Sequence, residues 1–168
     1  MKYFTNGKNG LGTNPLMKLP ILMTVIMLLL FWVVNFALFS SKMGFTPDGV
    51  SSYYLGNEEL FQPARNYKAM LEITHGHLAM FAVILLLLTH LAIFSNYRNG
   101  IKLFIIFGAF GFAILSESSS WLIRYVDPLF SWLKLISFFG LQLSIFLSFG
   151  GVLGYARKKQ GVRDKANN

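Results

Sequence analysis

Three histidines, His75, His77 and His90, share one apolar stretch of the chain, and a carboxylate, Glu117, interrupts the next. A charged residue at the centre of a membrane span costs about 2.5–3.5 kcal/mol, so each ionisable group at such a depth marks candidate chemistry. Imidazoles in that setting can ligate haem iron, exchange protons or hydrogen-bond a quinone; equally, they can satisfy structural polar contacts. In a regular helix His75 and His77 lie about 200° apart around the axis, which argues against a shared two-histidine ion site. His75 and His90 are separated by roughly 22 Å along the axis and about 60° around it, and His77 and His90 by about 20 Å and 140°. Two sites at two depths are therefore expected.

The run Glu72-Ile73-Thr74-His75-Gly76-His77-Leu78 resembles the His-x-His openings of small b-type cytochromes and of haem-copper oxidase-like membrane proteins. The resemblance implies haem b, with His75 or His77 as an axial ligand at one depth and His90 at the other. The vertical separation is similar to that of the two haems stacked across membrane cytochromes b. Gly76 and Ala79 would let a flat macrocycle approach the backbone. A six-coordinate bis-histidine haem needs a second imidazole, and the other apolar stretches contain no histidine. The missing ligands would come from a homodimer, from a partner subunit, or from Met43, Met70 or Met80.

Glu117 precedes Arg124, at the end of its span, by about as much as His77 follows the start of its own. The two side chains should share a depth, where the carboxylate could orient a ligand histidine or accept a quinol proton. The alternative is a Glu117 bonded to Ser116, Ser118, Ser119 or Ser120. Gln142 and Asn35 are expected to hydrogen-bond between helices, and Gly108, Gly111, Ala113, Gly150 and Gly154 to let helices pack closely.

Such groups need a membrane scaffold. The chain has 168 residues, 54% of them hydrophobic and 13% charged, with mean hydropathy +0.52. That composition excludes disorder and an ordinary soluble domain. With no cysteine, disulfides, iron–sulfur clusters and covalently attached c-type haem are excluded. Four apolar stretches, at about 19–41, 71–97, 101–124 and 129–156, are each long enough to cross about 30 Å of hydrocarbon. In lipid every backbone polar group must be satisfied internally, so the prediction is an all-α membrane protein: a single-domain, four-helix up-down-up-down transmembrane bundle.

The formal charge of +8 reads as topology rather than as nucleic-acid binding. Ten Lys and Arg flank the spans on one side, against Lys42, Arg65, Lys68, Arg124 and Lys134 on the other, which predicts both termini in the cytoplasm and a bacterial inner-membrane location. The connection at about 42–70 would then be extracytoplasmic, with Thr46-Pro47-Asp48-Gly49 as a turn. It is long enough to serve as a docking element or as an interfacial cap. The tail Arg157 to Asn168 reads as a solvated basic anchor.

These readings favour an electron-transfer subunit that binds haem b, quinone or both and serves an extracytoplasmic redox partner. The alternatives are a non-redox structural or assembly subunit and a small ion or proton conduit. The sequence contains no nucleophile elbow, phosphate-binding glycine loop or zinc-protease motif, so an autonomous hydrolase is not expected.

Overall fold

The computed structural model describes residues 15–59, 61–93 and 95–166, with side chains between 19 and 151 apart from Ile21. Helix α1 spans Pro15–Met43, α2 Pro47–Leu55, α3 Tyr67–Ile93, α4 Asn99–Tyr125 and α5 Ser131–Ala166. All except α2 are long and apolar enough to cross a membrane. The protein is an all-helical, four-span membrane bundle of up-down-up-down order. The tail expected to act as a basic anchor continues the backbone of α5, and its side chains lie outside the described residues.

Local chemistry accounts for the connections. Thr46-Pro47-Asp48-Gly49 forms the start of α2 rather than a free turn: the Thr46 hydroxyl caps the Gly49 N–H at 3.2 Å, and Pro47 occupies a first-turn position that lacks an obligatory donor. Gly56 ends α2 at φ 89°, a conformation glycine adopts without a Cβ penalty. The chain then folds back through a two-way backbone pairing of Asn57 with Gln62, both bonds 2.9 Å. Between α4 and α5 the Asp127 carboxylate caps a 3-10 turn by accepting from the Leu129 N–H at 2.7 Å.

Helix α5 is the most enclosed, with 56% of its span buried against 17–22% for the others. Its inner face carries Ser137, Ser144 and Ser148 beside Leu141 and Phe149, so it reaches α4 through small side chains. A Cβ at Gly108 would meet Ser144 Oγ at 2.8 Å, and one at Gly140 would meet the Phe112 ring at 2.6 Å. Gly140→Ala should therefore cost about 1–3 kcal/mol by overpacking. Gly111 was expected in the same seam, yet a Cβ there meets nothing within 4 Å. Gly111→Ala should be neutral or stabilising by about 0.5–1 kcal/mol. Thermal unfolding in one detergent compares the two variants, and equal shifts would contradict the assigned seam. Gly150 is crowded by the Tyr97 hydroxyl at 2.8 Å rather than by a neighbouring span, and Gly154 lies outside the described side chains.

Helix α1 is held differently, by large rings: Phe39 stacks on Phe138 at 3.8 Å, and Phe36 meets Phe138 edge-on at 5.3 Å. Rings hold helix axes further apart than serines do, and a cavity lies between α1 and the rest of the bundle at the α2 end. At that same end Tyr67, Trp121 and Tyr125 form a ring ladder with centroids 5.5 and 5.8 Å apart. Tyrosine and tryptophan favour the membrane–water boundary, and the ladder stands at the end of the spans, where that boundary is expected.

Candidate functional site

Helices α3 and α4 are antiparallel neighbours, so residues that ascend one meet residues that descend the other. Thr74 accepts from Trp121 Nε1 at 3.0 Å; one turn further along α3, His77 Nδ1 lies 2.8 Å from Glu117 Oε1. The expected meeting of His77 and Glu117 is therefore present. The Glu117 side chain is 8% exposed and that of His77 44%. With Glu117 ionised, Nδ1 carries the ring proton and donates it, leaving Nε2 as an acceptor.

The other sequence candidates lie elsewhere. His75 is exposed on a different face of α3, and His90 is exposed near the helix's opposite end. Among the described residues no three histidine or carboxylate side chains converge on a point that could hold a metal ion. Met70 is buried in the apolar cluster with Val50, Ile123 and Leu135, whereas Met80 is exposed at the cavity's edge.

Lys134 is the principal residue that the sequence reading misplaced. Counted there as a flanking charge, it is instead 6% exposed inside the bundle. Its ammonium donates to the Ser116 carbonyl at 2.8 Å, Ser116 Oγ at 3.0 Å and Ser120 Oγ at 2.9 Å, so all three donors are used. Of the serines proposed as partners of Glu117, Ser116 and Ser120 accept from Lys134 and Ser119 donates to the Ser116 carbonyl at 2.8 Å, while Glu117 pairs with His77. A helix starting at Ser131 places Lys134 on the stripe of Leu135, Phe138 and Leu141, which is the signal that could have revealed it.

Ser120 passes the network to α2, where its Oγ lies 2.9 Å from the Tyr54 hydroxyl. Burial of Tyr54 pushes its phenol above the ordinary range, with the Ser120 hydrogen bond opposing the shift. A folded-state pKa raised in this way adds stability that is present below the ordinary value of 10.0 and lost as the pH rises beyond it. Tyr54→Phe should cost about 1 kcal/mol near neutrality and flatten the alkaline loss of stability. Thermal unfolding in detergent from neutral to alkaline pH measures both; an unchanged alkaline limb would place its cause elsewhere.

The pair and the network border one cavity of about 240 Å³, walled mainly by apolar side chains, with Tyr53 and Tyr54 of α2 in its lining. His77, Glu117 and Lys134 all contribute to its lining, as does Asn35. Its margin includes Val34 and Leu38 of α1 and Ile73 and Met80 of α3, each 39–60% exposed, which leaves a lateral opening between these two helices. Gln142 departs from expectation: both side-chain polar atoms are buried without a partner, while its main-chain carbonyl accepts weakly from Trp32 Nε1 at 3.4 Å.

Comparison with known families accords with this architecture, since residues 44–162 match the Aq_1264_TM family, described as a transmembrane helical domain. The chain belongs to that family. The match runs from the segment before α2 into α5 and so takes in His77, Glu117 and Lys134. No curated protein and no solved structure matches the chain.

Proposed function

We propose that this Aq_1264_TM-family chain is a membrane electron-transfer subunit whose cavity binds the head of a lipophilic quinone, with His77 and Glu117 handling its protons. The observation that carries the reading is the 2.8 Å His77–Glu117 pair at the wall of a mainly apolar cavity with a lateral opening. Small-molecule sites combine apolar walls with a few convergent polar groups, and typically measure about 300–1,000 Å³. A cavity of about 240 Å³ suits a single substituted ring, with an isoprenoid tail leaving between α1 and α3.

The proton chemistry follows from the tautomer. One quinol hydroxyl gives its proton to His77 Nε2, the Glu117 carboxylate stabilises the resulting imidazolium, and once the ring has passed that proton to water the second hydroxyl proton leaves by the same route. The two electrons pass to a redox partner, for which the connection between α1 and α3 is the proposed docking element. Haem b remains part of this proposal in one form: His75 and His90, exposed on α3, would share iron with imidazoles of a partner subunit or a second copy. The orientation, with both termini in the cytoplasm of a bacterial inner membrane, belongs here too. With Lys134 inside the bundle, the flanking Lys and Arg stand at ten against four.

The test is a titration of the purified chain in nanodiscs with a short-chain quinone, followed by quenching of tryptophan fluorescence. Saturable quenching that weakens about tenfold or more in His77→Ala supports the site. Quenching that never saturates, or that is identical in the variant, leaves a structural or assembly subunit as the better account. Absorbance of the same preparation, oxidised and then reduced, reports any b-type haem.

A further inference from the structure

A second cavity of about 380 Å³ adjoins the first at the α2 end and shares Lys42 and Tyr53 with it. Its remaining lining is Ser41, Gln62, Pro63 and Arg65, so it presents two cations and no carboxylate. The two ion pairs among the described residues are Lys68–Glu72 and His77–Glu117, and neither neutralises Lys42 or Arg65.

Arg65 is held in place from several sides. Its N–H donates to the Tyr54 carbonyl at 3.0 Å, its own carbonyl accepts from Arg124 Nε at 2.8 Å, and its guanidinium lies 4.2 Å from the Tyr53 ring centre. Gln62 is fixed by its pairing with Asn57. A guanidinium stacked on an aromatic face keeps its N–H edge available for a phosphate, which it recognises by forked hydrogen bonds. Lys42 adds a point charge on the last turn of α1.

From this arrangement we infer that Lys42 and Arg65 form a binding site for the phosphate of an anionic phospholipid. The shared wall of Lys42 and Tyr53 sets the cation pair beside the apolar cavity, and this favours a lipid over a free anion. Arg65 is hydrogen-bonded to Arg124, the chain neighbour of Tyr125 in the ring ladder, so a phosphate there would lie close to that ladder, and its acyl chain would run toward Leu38 and Val34, about one and two turns before Lys42 on α1. Neutral zwitterionic lipid would bring its own ammonium against Lys42 and Arg65, which disfavours it.

The experiment measures thermal unfolding of the full chain in neutral detergent during titration with phosphatidylglycerol, phosphatidylcholine or inorganic phosphate. Phosphatidylglycerol should raise the transition saturably, and Arg65→Gln should weaken its apparent affinity about fivefold. Lys42→Gln should do the same, and the two together more. Equal stabilisation by phosphatidylcholine would overturn the charge recognition, and equal stabilisation by inorganic phosphate would overturn the lipid assignment. An unchanged titration in both variants would overturn the site. Arg65 does not line the first cavity, so quinone quenching of the Arg65→Gln chain in phosphatidylcholine nanodiscs tests the two sites separately.

Discussion

Lys134→Ala is expected to destabilise the folded bundle by about 3–5 kcal/mol, read as the free energy of unfolding in mixed detergent. Two losses combine. The substitution empties the volume of a long side chain that is 6% exposed, and it releases the Ser116 and Ser120 oxygens from three hydrogen bonds of 2.8–3.0 Å. Inside a membrane the packing loss persists even though lipid is itself apolar, because the contacts around the stem vanish without replacement. Lys134→Met separates the terms: it keeps the stem and loses the ammonium, and should cost only about 1–3 kcal/mol. Equal costs for Ala and Met would show that the cavity term is absent, and a negligible cost for both would place Lys134 outside the packed interior.

Glu117→Gln should leave the fold intact while removing the negative charge that supports proton acceptance by His77. The amide oxygen can still accept from His77 Nδ1, so the 2.8 Å link between α3 and α4 is retained in kind. A neutral amide cannot stabilise the imidazolium that forms when His77 takes a quinol proton. If the chain acts as proposed, oxidation of a short-chain quinol by ferricyanide in nanodiscs should be accelerated by the parent and slowed about 10²-fold in the variant. Each quinol oxidised releases two protons and reduces two ferricyanide ions. Saturable quinone quenching should change little. An unaltered rate would remove Glu117 from the chemistry, whereas loss of quinone binding together with rate would indicate a packing role.

The contrast between these two residues shows what could be read along the chain. Four apolar stretches of sufficient length, with cysteine absent and polar groups sparse, determine a four-helix membrane bundle, because an unpaired backbone in lipid is too costly for any open alternative. The depth relation between His77 and Glu117 was equally legible, since helical rise and alternating direction turn sequence distance into height. Both readings use one-dimensional quantities.

Angles within one helix follow from the sequence too, but how each helix is rotated toward its neighbours and how far apart they stand do not. Lys134 resembled a flanking charge because a lysine near a span's end can snorkel to water as readily as turn inward. The stripe of Leu135, Phe138 and Leu141 is compatible with an inward Lys134, and the packing of α5 against Ser116 and Ser120 supplies the oxygens that hold it there. Gly111 and Gly108 are alike in sequence, yet one faces open space and the other Ser144, a difference set by rotation about the axis of α4. Composition and length thus determined that the chain spans a membrane and which polar groups share a level. The tertiary structure decided which of them touch, because side-chain contact depends on rotation and separation of neighbouring helices, settled by rings on α1 and serines on α5.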